Sequence, residues 1–120
     1  MSWKLNSDRP IYSQIVERIQ MQIVSGFYSP GSRLPSVREL ATDAGVNPNT
    51  MQKAFAELER SGLIVTQRTS GRTVTEETEM IENIQKELAT IQIKEFLERM
   101  NELGFKLNET IALLKEGDQL

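Results

Sequence analysis

A chain of 120 residues without cysteine, histidine or an 18-residue apolar run suits one small domain, with or without an appendage, and carries no candidate membrane span. The missing residues exclude disulfides, Ser-His and Cys-His catalytic pairs and Cys/His zinc sites, which suits a cytoplasmic protein and leaves catalysis by carboxylates alone. Since nothing else supports such catalysis, we expect a protein that is not an enzyme and needs no cofactor or metal. The net charge of −3 divides unevenly: residues 1–75 carry nine Lys or Arg against six Asp or Glu, and residues 76–120 carry five against eleven, so only the first part is expected to face an acidic partner.

The first predicted element is an amphipathic helix over about residues 8–26. An isoleucine recurs at every fourth position, at Ile11, Ile15, Ile19 and Ile23. This spacing places the four side chains on one helix face, which we expect to pack behind the elements that follow. In the next loop, Phe27 and Tyr28 are expected to cover the core, and Arg33 with Leu34 to form a very short strand.

The stretch that begins at Ser36 is typical of two helices joined by a tight turn. Ser36 is expected to cap the first helix, and Glu39, three residues later, to complete a capping box. Gly45 suits a sharp turn that needs a positive φ. Asn47 then predicts the cap of a second helix, with Pro48 at its first position, where a missing N–H costs nothing.

The second of these helices has two different faces. Its apolar residues recur at helical spacing, at Met51, Ala54, Phe55 and Leu58. Its opposite face carries amides, a hydroxyl and one cation, on Asn49, Thr50, Gln52 and Lys53. Because such groups can reach base edges and phosphates, we interpret the pair as a helix-turn-helix whose second helix enters a major groove.

A strand, a turn and a second strand follow directly. The first strand is expected to begin at Leu63, the hairpin tip to occupy residues 68–71, and the second strand to occupy residues 72–75. A two-stranded hairpin placed after a recognition helix is a wing. Arg68 at its tip and Arg72 just past it are expected to enter the minor groove or to pair with phosphates.

The remaining residues predict a linker and two helices. Residues 75–79 are polar and acidic, a long helix is expected to run from Met80 to a stop at Gly104, and Asn108 is expected to cap a last short helix. The long helix carries one apolar stripe at Ile81, Ile84, Leu88 and Ile91, and a second at Ile93, Phe96, Leu97 and Met100. Because the two stripes are rotated relative to each other, the helix needs two partners.

This two-helix tail is too small to fold alone, so it must pack on the first part of the chain, on a second copy of itself, or on both. We therefore predict a mainly helical α+β fold, with a winged helix-turn-helix DNA-binding domain at residues 1–75 and a linker and dimerisation tail at residues 76–120. The expected dimerisation residues are Ile84, Leu88, Ile91, Phe96, Leu97 and Met100.

Several motifs in the right order resemble the GntR family of bacterial transcription regulators. They are the run PGSRLPSVRELATDAGVNPNTMQKAFAELERSGLI, the hairpin after it, and the opening Pro10-Ile11-Tyr12 with Gln14-Ile15. The resemblance covers about residues 8–75. The short tail and the Asn47-Pro48-Asn49-Thr50 start of the recognition helix are similar to the YtrA subfamily.

The resemblance implies a homodimeric regulator, usually a repressor, that binds a palindromic DNA operator. The resemblance and the helix-turn-helix pattern together identify the expected DNA-binding residues. These are Ser36, Arg38, Asn47, Asn49, Thr50, Gln52, Lys53, Arg68, Thr69 and Arg72. Many relatives carry arginine at the positions of Pro48 and Gln52, so reading of guanine by those arginines is not expected here. The tail leaves little room for a ligand pocket unless a dimer interface supplies one, so a small-molecule effector stays open.

Two other classes of function fit the sequence less well. A winged helix used only for protein–protein contact would not need the polar recognition face or the wing arginines. A carboxylate-dependent enzyme would rely on acids such as Glu57 and Glu59, which fall on a predicted helix surface. We interpret the acidic residues Glu76, Glu77 and Glu79 as part of a solvated linker and not as a metal site.

Overall fold

The computed structural model describes residues 3–69 and 71–117. The chain splits into two compact units after Gln85, named by their chain bounds Met1–Gln85 and Lys86–Leu120. The elements are α1 (Ile11–Val24), α2 (Val37–Ala44), α3 (Pro48–Arg60), β1 (Ile64–Gln67), β2 (Gly71–Val74), α4 (Thr78–Glu102) and α5 (Leu107–Gly117). The strands pair antiparallel from Ile64↔Val74 to Gln67↔Gly71. None of the described helices has the length and apolar character needed to span a membrane. The architecture is the predicted one, mainly helical with a two-stranded wing after the second helix of a helix-turn-helix.

The core of the first unit forms where α1, α2 and the wing meet α3. Ile15, Ile19 and Ile23 are at most 2% exposed, which confirms the apolar face predicted for α1. They belong to one buried cluster with Leu34, Leu40, Ala41, Met51, Ala54, Phe55, Leu58, Leu63, Ile64, Val74 and Ile81. Each fully buried large side chain contributes about 1.5–3 kcal/mol, so this cluster fixes α3 and leaves its polar face outside.

The local signals of the helix-turn-helix are confirmed. Ser36 Oγ accepts from the Glu39 N–H at 3.1 Å, and the Ser36 N–H donates to Glu39 Oε1 at 3.3 Å, which completes the capping box. Gly45 ends α2 in the left-handed region with φ +72°. Asn47 Oδ1 accepts from the Asn49 N–H at 2.7 Å, and Pro48 occupies the first helical position of α3.

The loop after α1 departs from prediction at one aromatic residue. Phe27 is 64% exposed, so the expectation that it covers the core is wrong. Its ring meets Tyr28 edge-on, with centroids 4.9 Å apart, and only Tyr28 packs against the core cluster. Arg33, expected in a very short strand, forms a single antiparallel bridge with Thr73 of β2.

The segment before α1 is held against two helices. Gln14 is buried and its side chain binds the Asn6 backbone on both sides, accepting from N–H at 2.9 Å and donating to the carbonyl at 2.7 Å. Trp3 Nε1 donates to Asp43 Oδ2 of α2 at 3.2 Å, and the guanidinium of Arg18 in α1 lies 5.3 Å from the indole ring. These contacts tie the segment to both α1 and α2.

Helix α4 begins at Thr78, two residues before the predicted start at Met80. Ile81 is buried and Ile84 partly buried against the core cluster of the first unit. The first compact unit therefore extends to Gln85, whereas the division at residue 75 was drawn from the linker composition and stays a prediction.

The second unit contains the rest of α4 and α5. Gly104 lies just past the end of α4, as predicted. The prediction that Asn108 caps the last helix is wrong, because α5 already begins at Leu107. The Lys106 N–H donates to Glu109 Oε1 at 2.9 Å, and the Lys106 carbonyl accepts from the Thr110 N–H at 2.9 Å, so the chain enters the helix at Lys106.

Candidate nucleic-acid interface

The N-terminal half of α3 presents polar side chains to solvent while its apolar face is buried. Met51, Ala54 and Phe55 are fully buried, so the residues between them must point outward. Most of the predicted DNA-binding residues are exposed: Ser36, Arg38, Asn47, Asn49, Gln52, Lys53, Arg68 and Thr69. Thr50 and Arg72 are half-buried. The structure therefore brings amides, hydroxyls and cations of α2, α3 and the wing to the surface of one unit.

The ammonium group of Lys53 is held over an aromatic ring of α1. Its Nζ lies 3.9 Å from the centroid of the Tyr12 ring, a cation–π contact of about 0.5–1 kcal/mol at an exposed site. An aromatic ring leaves the charge unneutralised, unlike a carboxylate. Lys53 is thus oriented by the Tyr12 ring, and no described acid forms an ion pair with it.

Arg72 has a different environment from the one expected for a wing cation. Its Nε donates to Glu59 Oε1 at 2.6 Å, and its guanidinium lies 5.3 Å from the Phe55 ring. The other carboxylate oxygen of Glu59 accepts from Thr66 Oγ1 at 2.9 Å. Thr66 and Arg72 face each other across the hairpin, so Glu59 of α3 binds both strands of the wing.

The Arg72 hydrogen bond is the main reason that the pKa of Glu59 lies below its ordinary value, and the Thr66 hydroxyl lowers it further, while partial burial opposes both. Glu59 is therefore ionised at neutral pH. We call the group of Glu59, Thr66 and Arg72 the wing brace. The structure places Arg72 in this brace, whereas Arg68 and Thr69 lie at the exposed turn between the strands.

A groove of about 540 Å³ lies between the start of α2 and the wing. It is lined by Tyr28, Arg33, Leu34, Pro35, Ser36, Val37, Glu39, Gly71 and Arg72. Arg33 is a candidate residue that the sequence analysis did not include. The signal for it was present, since a cation in the strand expected before α2 must lie near that helix and the sheet.

Most of the basic residues of the first unit that form no ion pair belong to the helix-turn-helix, the wing and the segment paired with it. Within the described residues up to Gln85, three ion pairs form, at Arg9–Glu17 (2.6 Å), Arg60–Glu57 (2.8 Å) and Arg72–Glu59 (2.6 Å). The Lys and Arg residues outside these pairs are Lys4, Arg18, Arg33, Arg38, Lys53 and Arg68. Four of these six belong to α2, α3, the wing turn and the segment that pairs with β2. Glu57 and Glu59, the acids considered for catalysis, are partners of arginines.

Known proteins resemble the chain over nearly its whole length. Residues 11–74 match the gntR family of bacterial regulatory proteins. The chain is 38% identical over 112 residues to the HTH-type transcriptional repressor YtrA of Bacillus subtilis (strain 168), which covers 92% of this chain and 85% of that protein. A solved GntR family transcriptional regulator from Listeria monocytogenes superposes with a TM-score of 0.85 and 41% identity, covering 93% of this chain and 98% of that one.

A further solved structure shows a related domain on DNA. It is AraR(DBD) in complex with operator ORX1, with a TM-score of 0.57 and 26% identity over 62% of this chain and 95% of that one. The match to the family model spans α1 to the end of the wing, which are the elements that carry the exposed polar surface. The chain therefore belongs to the gntR family of bacterial regulatory proteins, as a YtrA-like DNA-binding transcription regulator.

Proposed function

We propose that this regulator is a repressor that binds an inverted-repeat operator as a homodimer in the cytoplasm, where bacterial DNA lies. The observation that carries the proposal is the division of α3, whose apolar face is buried and whose capped N-terminal half exposes Asn49, Gln52 and Lys53. A helix of this kind is built to place its first residues on base edges in a major groove.

Base recognition is assigned to the two amides on this surface. Amide side chains pair bidentately with N6 and N7 of adenine, so Asn49 and Gln52 are proposed to read A·T pairs. Asn47 and Thr50 are proposed to support them from the start of α3. Because Asn47 uses only its amide oxygen to accept from the Asn49 N–H, its amide N–H donors are available to a phosphate.

Positioning on the duplex is assigned to the helix start of α2 and to cations. Ser36 and Arg38 would approach one strand of the backbone, Lys53 the other side of the groove, and Arg68 with Thr69 the neighbouring minor groove or its phosphates. Such contacts are largely independent of sequence and set the register of the protein on DNA. Arg72 is proposed to act through the wing brace.

Dimerisation is assigned to the second unit because much of its apolar surface is exposed. Ile84 packs on the core of the first unit, so we assign the interface to the remaining predicted residues Leu88, Ile91, Phe96, Leu97 and Met100. Further apolar side chains of this unit are at least 36% exposed: Ile93, Leu103, Phe105, Leu107, Ile111, Leu113 and Leu114. Exposed apolar residues at this density mark an interaction surface.

Selection of bound duplexes from a random-sequence library tests the proposal. The full-length protein is expected to enrich an inverted repeat whose half-sites lie about 10 bp apart, or a multiple of that, because the two recognition helices of a two-fold dimer enter the major groove on the same face of the duplex. Repeating the selection with Asn49→Ala should relax one base-pair position in each half-site and weaken operator binding by about 1–3 kcal/mol.

The matched control is Asn83→Ala, which removes an exposed amide from α4 and should leave the selected sequence unchanged. Enrichment of an asymmetric site would contradict the homodimer on an inverted repeat. If no sequence is enriched, the alternative of a winged helix used for protein–protein contact is favoured.

A separate measurement tests repression. A promoter carrying the selected site should be more active when the protein is absent, and lower activity in its absence would contradict a repressor.

A further inference from the structure

A third extended segment widens the wing along the free edge of β2. The Leu34 N–H donates to the Arg72 carbonyl at 2.9 Å, and the Val74 N–H donates to the Ser32 carbonyl at 2.9 Å. Between these two bonds, Arg33 pairs with Thr73. The strand β2 therefore has neighbours on both edges, and the loop that leads into α2 is fixed to the wing.

Arg33 lies on the outer face of this widened wing. Residues paired directly across strands point to the same face, and successive residues of a strand point to opposite faces. Arg72 points inward to α3, so its neighbour Thr73 and the paired Arg33 point outward. Thr73 is only 9% exposed, whereas Arg33 is exposed, so the Arg33 side chain is the outermost layer here.

The Arg33 side chain runs beside Gly71 at the wing turn. Its Nε and Nη2 lie 3.7 and 3.9 Å from the position that a Cβ would take at Gly71. Arg33 also lines the groove that contains Ser36, the N-cap of α2. Among the residues that the structure describes, no acid forms an ion pair with it. A complete positive charge thus lies between the wing and the start of α2.

We propose that Arg33 binds a DNA phosphate beside the wing and supplies there the positive charge that Arg72, neutralised by Glu59, does not. The inference rests on the proposed function, since it takes DNA bound across α2, α3 and the wing as the ligand. Arginine suits a phosphate because its planar group donates several hydrogen bonds in a fixed geometry. A contact of this kind adds affinity for every DNA sequence and reads no base.

The dependence of affinity on salt tests the assignment, because each phosphate contact releases counterions. Binding of the full-length protein to a random-sequence duplex is measured by fluorescence anisotropy between about 50 and 200 mM salt. For Arg33→Gln, the slope of log K against log salt should become shallower by about 0.9 for each copy of Arg33 in contact. The control Arg60→Gln removes an equal charge, from the Glu57 pair at the far end of α3, and should keep the wild-type slope.

Arg33→Lys separates charge from packing and should keep the wild-type slope, since it retains the cation on a flexible stem. A wild-type slope for Arg33→Gln would overturn the proposal, and so would a shallower slope for Arg33→Lys. Failure of the proposed function would give a different result. The wild-type protein would then show no salt-dependent binding to the duplex, and Arg38→Gln would not change its affinity. Thermal melting of each variant confirms that a change in slope comes from folded protein.

Discussion

At the scale of single residues, the wing brace decides how the wing meets the recognition helix. The hairpin has only four residues in each strand, and a two-stranded hairpin is marginally stable by itself. The Glu59 carboxylate accepts from β1 at Thr66 and from β2 at Arg72. Since both bonds go to an ionised group, they are shorter and stronger than neutral ones and orient the wing on α3.

Replacing this carboxylate is expected to change the pH dependence of stability. The pKa of Glu59 lies below its ordinary value of 4.5, so its contribution is complete above that value and is lost as pH falls through the lowered pKa. Glu59→Gln should lower the free energy of unfolding by about 1 kcal/mol at neutral pH. The difference from wild type should shrink as pH falls below 4.5 and through the lowered pKa. Urea unfolding at neutral pH and across a series of acidic pH values measures both effects.

Glu57→Gln is the matched control for this variant. Glu57 is two residues away on α3 and pairs with Arg60, but that arginine side chain is 71% exposed, so its pair contributes about 0.5 kcal/mol or less. Equal losses for the two variants, or a Glu59→Gln loss that stays constant with pH, would contradict the role assigned to the brace.

The sequence carried both partners of the brace but not their contact. Glu59 and Arg72 are 13 residues apart, and their hydrogen bond depends on how the hairpin docks on α3. Sequence spacing predicts the hairpin and not its docking, so the sequence predicts Arg72 as a minor-groove or phosphate residue and not as the partner of Glu59. The prediction that Phe27 covers the core is wrong for a related reason. Two adjacent aromatic residues after a turn cannot both face one core, and no local signal in the sequence decides which of them is buried.

At the scale of elements, the turn between α2 and α3 sets the angle of the recognition helix. Gly45 adopts φ +72° there, and a Cβ built on it would meet no atom within 4 Å. The requirement for glycine at this position is therefore one of backbone conformation and not of space.

Gly45→Ala is expected to lower the free energy of unfolding by about 1–2 kcal/mol, because an L-residue with a Cβ is strained in the left-handed region. Gly45→Asn should lose less, since asparagine tolerates this region. The control Gly117→Ala, at the end of α5, also meets open space but without a positive φ, and should change stability little. Chemical denaturation compares the three. Equal effects at the two glycines would show that backbone strain is not the cause.

Elements were predicted well where their signals were local. The capping box, the glycine turn and the Asn-Pro start each act within three residues, so their geometry follows from the sequence itself. The entry into α5 shows the limit of such signals. Asn108 is a good cap by residue type, but Glu109 accepts from the Lys106 N–H, two residues before Asn108, and the helix therefore begins at Leu107.

At the scale of the whole molecule, the two stripes of α4 have different outcomes. Ile81 and Ile84 at the start of the first stripe are covered by the core of the first unit. Ile91, at the end of the same stripe, is 51% exposed and lies in the second unit. A sequence pattern identifies an apolar face but not the chain that covers it, so this part of the interface remains a proposal.

Disrupting the proposed dimer surface should also weaken operator binding. Ile91→Asp is expected to convert the full-length protein to a monomer at concentrations where wild type is a dimer. Operator affinity should then fall on the order of 100-fold, because the second half-site is no longer held at high effective concentration. Sedimentation velocity and anisotropy on a selected operator measure the two effects.

Met21→Asp provides the control, since Met21 in α1 is 56% exposed and belongs to the first unit. It should remain a dimer and keep its operator affinity. A dimeric Ile91→Asp protein, or a monomeric one with undiminished affinity, would refute the assigned role of the second unit.

The contacts of Trp3 give the protein an intrinsic optical probe. Trp3 is the sole tryptophan of the chain, so its emission comes from one place, between α1 and α2. The indole N–H is bound to Asp43 and the ring lies near Arg18, so a charged environment on each side sets the emission wavelength. Release of the N-terminal segment exchanges both neighbours for water. Fluorescence can therefore follow docking of this segment on the helix-turn-helix in solution without any attached dye.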